Sequence, residues 1–140
     1  MKLAILGATG TVGRDLVRQA LAAGHEVSVL DEDPLSHERL DAGMETSWED
    51  AGGLFTVGHA IEADALEEAG IERADIFIAS TDGDNTNLTI AQIAKRGYGV
   101  DRVVARIMDP YRAAWYAEQG LETICPTKIA IEQFQTVVAG

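Results

Sequence analysis

The chain has 140 residues, 46% of them hydrophobic, and a formal net charge of −12. That size and apolar content suit one soluble globular domain over residues 1–140, with core enough to need no staple. A single cysteine, Cys125, and three scattered histidines exclude an intramolecular disulfide and a recognisable zinc site, while the few cations form no basic run that would hold nucleic acid.

Structure begins at the N-terminus. The apolar run 3–6, directly before Gly7, is too short for a signal-peptide core or a membrane span. With the lone cysteine, this predicts a reducing, cytoplasmic setting, any tie to a membrane running through a partner. Further short runs, mostly rich in Val and Ile, follow at 27–30, 54–57, 76–79, 103–107 and 123–125. Almost uncharged runs of this length predict strands buried on both faces of a parallel sheet. Helical periodicity fills the intervals at 11–23, 34–42, 64–69, 85–96, 110–119 and 128–138. Gly24, Gly43, Gly70, Gly97 and Gly120 each fall just past a helix, where a left-handed cap is wanted, and Pro34, Pro110 and Pro126 fall near helix starts. Residues 43–53 show no period and predict an irregular connection. The whole is an α/β pattern: a Rossmann-like, doubly wound, six-stranded parallel sheet in three layers, with strand order 3-2-1-4-5-6.

The chemistry gathers at the carboxyl ends of the predicted strands. Gly7, Gly10 and Gly13 stand between a strand and a helix. Such a trio supplies a tight turn, close approach of backbone to a pyrophosphate and close packing of helix on sheet, with the helix N-terminus holding the phosphates. Asp31, closing the second strand, is placed to accept hydrogen bonds from a ribose diol and to repel a 2′-phosphate; alternatively it is a turn residue beside Glu32 and Asp33. After the fourth strand, Ser80, Thr81, Asp82 and Asn85 lie beside the switch point, in reach of a ribose or a nicotinamide-side group. Asp82-Gly83 reads equally as a turn and Asp84 as an N-cap. Arg106, in an otherwise apolar strand, needs a phosphate or a carboxylate as partner.

These residues carry a resemblance to the TrkA-N family, the N-terminal nucleotide-binding half of RCK (regulator of K⁺ conductance, or KTN) domains. It runs through the Gly-rich turn, LDEDP with Asp31, the segment VGHAIEADALEEAGIERADIFIASTDGDNTNL, RVVARIMDP and GLETICPTKIA. The resemblance implies a cytoplasmic, nucleotide-sensing regulatory domain of a potassium channel or transporter. It further implies NAD(H) or ATP, ADP or AMP as ligand, and pairing into homodimers that build larger rings. Its candidate binding residues here are the turn Gly7, Ala8, Thr9, Gly10, Thr11, Val12 and Gly13, with Asp31 and Glu32. Gly58, His59 and Ala60 after the third strand join them, as do Ser80, Thr81, Asp82, Asn85 and Arg106. The chain departs from the family where G-x-G-R-x-G becomes G-x-x-G-x-x-G, Thr11 standing in the arginine's place, and where Gly-Asp-Ala becomes Gly58-His59-Ala60. The family's common C-terminal ligand-binding domain has no counterpart within these residues, which leaves open a fragment of a longer protein or a stand-alone sensor.

The GATGTVG turn also resembles that of atypical short-chain dehydrogenases and nucleoside-diphosphate-sugar enzymes, so an NAD(P)-binding oxidoreductase or epimerase is the alternative. Those enzymes use a Tyr-x-x-x-Lys pair for proton transfer. Here the residues four beyond Tyr98, Tyr111 and Tyr116 are Arg102, Trp115 and Gly120, and neither G-x-S-x-G nor a Walker A sequence occurs. The expectation is therefore a sensor without catalytic residues. Cys125 is expected as a small buried residue, and Trp115 and Tyr116 as packing residues. In the last helix Ile129, Ala130, Ile131, Phe134, Val137 and Val138 occupy more than one face, so one stripe should pack on the domain's own sheet and the surplus should meet a partner subunit.

Overall fold

In a computed structural model, all residues from 1 to 140 except Thr9 are described, Thr11 without its side chain. Six parallel strands, β1 (Lys2–Leu6), β2 (Glu26–Asp31), β3 (Gly53–Val57), β4 (Ile76–Ala79), β5 (Arg102–Arg106) and β6 (Glu122–Ile124), form one sheet in the order β3-β2-β1-β4-β5-β6. The expected strand order is the observed one. Leu6 lies level with Leu30 and with Ala79, Asp31 with Val57, and Ala79 with Ala105, so the carboxyl ends share one rim. The chain reverses direction across the sheet between β1 and β4. That leaves a crevice at the rim between the connections leaving these two strands.

Alternation within the strands divides the core. Ala4 and Leu6 face a cluster completed by α3 (Ala63–Glu68), α4 (Asp84–Gln92) and α5 (Pro110–Glu118), through Leu66, Leu88, Ala91 and Ala113. Leu3 and Ile5 face the other cluster, which α1 (Thr11–Ala22) and α2 (Ser36–Asp41) cover with Val17, Leu21 and Leu40. Trp48, wholly buried, belongs to this second cluster. It comes from the aperiodic connection and stacks edge-on against His37 and Phe55.

Several local details differ from the sequence pattern. The helix expected to begin at Pro34 starts at Ser36, and a 3₁₀ turn at Ile71–Arg73 precedes β4. Gly97 is not the left-handed cap of α4: a wide π turn, Ile93–Gly97, extends that helix and shifts the positive φ to Gly99. The last helix, α6 (Pro126–Ala139), lays no stripe on its own sheet, and none of its residues is buried. Cys125 is buried and its Sγ caps α6 by accepting from the Lys128 N–H. Trp115 is not a core residue; it is 55% exposed and packs edge-on against Tyr116.

Candidate functional site

A cleft of about 800 Å³ opens over the crevice. Its centre is the Gly-rich turn. Gly7 has φ +79°, and a Cβ there would lie 2.4 Å from the Ser80 carbonyl oxygen, so this tight turn admits only glycine. A Cβ on Gly13 would lie 2.6 Å from the Cα of Ala8, which fixes α1 close against the strand end. Gly10 is different. It caps α1 in an extended conformation open to any residue (φ −73°, ψ 173°), and no described atom lies within 4 Å of where its Cβ would stand. Among the described residues nothing inside the chain requires glycine at this point. The helix begins there with no cap from a described side chain, which leaves its first N–H groups for another acceptor.

One end of the cleft is built from the turns after β2 and β3. Asp31 accepts from the Asp33 N–H at 2.9 Å, so it shapes the turn as well as lining the cleft. Glu32 and His59 meet across the mouth at 2.8 Å, and Gly58 and Ala60 flank them. Arg39 of α2 also lines this end, 3.8 Å from Asp33.

The other end is held by Asn87, a 1%-exposed polar residue in α4. Its Oδ1 accepts from the Thr81 N–H at 2.8 Å and the Thr81 hydroxyl at 2.6 Å. Its amide donates to the carbonyls of Thr81 at 3.0 Å and Arg106 at 2.8 Å, tying the ends of β4 and β5 together. Arg106 in turn donates from one Nη to the Thr81 carbonyl at 2.6 Å and reaches Asp82 at 3.4 Å, while its buried Nε has no hydrogen-bond partner among the described residues. Ser80, Thr81, Asp82 and Arg106 all line the cleft.

Two expected residues do not reach it. Ala8 is fully buried in the core beneath α1. Asn85 points away, accepting from Arg112 of α5 at 2.6 Å. Asp84 is not an N-cap either; Gly83 holds that position, and the Asp84 carboxylate accepts from the N–H groups of Met108 and Asp109. Thr9 and the Thr11 side chain lie outside the described residues. Sequence reasoning passed over Arg39, Thr86 and Asn87. The last had a signal, because Asn87, Ala91 and Ala94 share one buried helix face, on which a lone amide needs a structural reason.

The tyrosine nearest to suspicion for proton transfer is unsuited to it. The Tyr98 hydroxyl donates to Glu67 at 3.3 Å and does not line the cleft. Desolvation and then the Glu67 carboxylate push its phenol above the ordinary value, opposite to the lowering a proton relay needs.

A parallel sheet in this order, with a Gly-rich turn at its reversal point, defines a Rossmann-like doubly wound domain. The chain belongs to the TrkA-N domain family, whose model matches residues 3–126. It is 38% identical over 133 residues, 95% of the chain, to the Trk system potassium uptake protein TrkA of Streptomyces coelicolor, and spans 56% of that protein. With the protein of the same name from Mycobacterium tuberculosis it shares 31% identity over 144 residues, covering 98% of the chain and 60% of the relative. The chain thus spans less than two thirds of these curated relatives. Among solved structures, the TrkA-N domain of the inner membrane protein ybaL from Escherichia coli superposes with a TM-score of 0.80 at 17% identity, over 97% of this chain and 95% of that one. The Shewanella denitrificans Kef CTD in AMP bound form gives 0.74 at 23% identity, over 100% and 83%. These two likenesses establish the shared fold. Among the described residues no helix is long and apolar enough to cross a membrane.

Proposed function

We propose that the chain is a nucleotide-sensing regulatory domain of a potassium channel or transporter, acting in the cytoplasm through a membrane partner and binding NAD(H) or an adenine nucleotide in the cleft. The observation that carries this reading is Gly10, where the missing side chain leaves open space in front of N–H groups that no described side chain caps, at a helix N-terminus. A pyrophosphate fits that combination of close approach and positive dipole. Adenosine then lies toward Asp31, Glu32 and His59, and the distal end toward Thr81, Asp82 and Arg106. The names of the curated relatives support the transport context, and the AMP-bound Kef domain supports a nucleotide on this fold.

The second part of the reading is a homodimer through α6. This helix exposes Ile129, Ile131, Phe134, Val137 and Val138. Among the described residues, only α1 and α2 supply buried helical residues to the sheet face shared by Ile5, Ile78 and Val104, and Ile124 at the β6 edge stays 50% exposed. A partner's α6 laid over the β4–β6 half of that face would cover both surfaces at once, in a two-fold arrangement. Ligand binding would then shift the geometry between subunits. Titration calorimetry with NADH, ATP, ADP and AMP tests the first part. Saturable binding of at least one is expected, and no heat from any of the four at millimolar ligand would refute it.

A further inference from the structure

On the nucleotide reading above, a proton-dependent contact spans the adenosine end of the cleft. The walls there are the turns that follow β2 and β3. Their roots are joined by backbone, the Gly58 N–H donating to the Asp31 carbonyl at 2.9 Å. One residue further along each turn, His59 meets Glu32, its Nδ1 2.8 Å from a carboxylate oxygen. The two side chains are 61% and 69% exposed, so bulk protons reach the ring freely. Charge around the pair is lopsided. The turn after β2 carries Asp31, Glu32 and Asp33, and Glu62 and Asp64 follow His59 into α3. Among the described residues lining this end, Arg39 of α2 is the one permanent cation, and it lies 3.8 Å from Asp33.

Imidazole is the side chain that changes charge between about pH 5 and 8. Neutral, the His59 ring makes an ordinary hydrogen bond from Nδ1–H to Glu32. Protonated, it makes a charge-assisted one, roughly twice as strong, and cancels one negative charge beside an anionic ligand. We infer that Glu32 and His59 form a proton-operated clasp, through which nucleotide binds more tightly as pH falls from about 8 to about 6. Two effects set that direction. The strengthened clasp holds both walls in one arrangement, which lowers the ordering cost of binding. It also reduces repulsion between this acidic end and the phosphates. Binding is reciprocal, so nucleotide in turn favours the proton on His59.

The test is calorimetric titration of NADH, ATP, ADP and AMP at about pH 6 and about pH 8, at constant ionic strength. The parent should bind about two- to fivefold more tightly at the lower pH, the range open to an exposed ion pair. His59→Gln should lose that gain, and its comparison with the parent cancels the titration of the nucleotides' own phosphates. Glu32→Gln should lose the larger part, because the imidazolium then has no carboxylate to hold. His25→Gln, at the opposite rim beside the N-terminal ammonium, should keep the gain. At about pH 7 the parent, unlike His59→Gln, should take up a fraction of a proton on binding, read from heats in two buffers of different ionisation enthalpy. A pH response no larger in the parent than in His59→Gln, a gain undiminished in Glu32→Gln, or one that vanishes in His25→Gln would each overturn the clasp while the nucleotide reading stands. Failure of all four nucleotides to bind at either pH would overturn both.

Discussion

Replacing Gly10 by serine should move stability and ligand affinity in opposite directions. The position is the N-cap of α1, its φ and ψ are ordinary, and its missing Cβ faces open space, so serine fits without strain. Serine caps a helix better than glycine by a few tenths of a kcal/mol, by accepting from an N–H one turn on. Loss of glycine's freedom in the unfolded chain adds about 0.4–1 kcal/mol. The sum, roughly 0.5–1.5 kcal/mol, should raise the melting temperature by about 2–5 °C for a domain of this size. The same hydroxyl occupies the N–H that a phosphate needs. Loss of one hydrogen bond to a charged group costs about 1.5–3 kcal/mol, so NADH affinity should fall about 10- to 150-fold. Thermal melts followed by circular dichroism, paired with calorimetric titration, read both quantities on one sample. A variant that melts lower than the parent would refute the open space at Gly10, and one that keeps parental affinity would refute the phosphate position.

Asp31→Ala should weaken NADH by about 1–3 kcal/mol, and the parent should bind NADPH worse than NADH because the 2′-phosphate meets this carboxylate; equal titration affinities for the two cofactors count against the assignment. Phe134→Glu with Val138→Glu should give a folded monomer that retains its nucleotide, as read by sedimentation, and an unmodified chain that is already monomeric at high micromolar concentration with nucleotide present removes the α6 dimer. Asn87→Ala should lower unfolding free energy by about 2–4 kcal/mol in denaturant melts, since it orphans the buried groups of Thr81 and Arg106, and a loss under half a kcal/mol would contradict the tie between β4 and β5.

The strand order was legible because each strand is a brief apolar run and each helix a longer periodic one. Asp31 and the glycines were legible because their spacing from the strand ends is set by local geometry. What escaped depends on contacts between distant segments. Asp84 reads as a helix cap until β5 and α5 bring the N–H groups of Met108 and Asp109 to its carboxylate. Asn85 and Asn87 differ only by their side of one helix, and the helical face, which was readable, separates the structural amide from the surface one. Arg39 lines the cleft from α2, a helix that the aperiodic connection after it contacts through Trp48 at His37 and Asp41. The displaced cap at Gly99 follows from the added width of a π turn, a hydrogen-bonding choice that no residue pattern announces. The exposure of α6 was anticipated only in part, since the lack of any buried residue along it is a property of the whole domain.

The two tryptophans divide the molecule optically. Trp48 is sealed in the α1–α2 core so closely that a Cβ on Gly53 would lie 2.0 Å from its ring, and its Nε1 has no hydrogen-bond partner among the described residues. Its emission should be blue-shifted and inaccessible to a dissolved quencher. Trp115 stands 55% exposed on the opposite side of the sheet, where quencher reaches it freely. Intrinsic fluorescence therefore carries two separate signals without any label, one for the integrity of the α1–α2 half and one for whatever approaches the surface of α5.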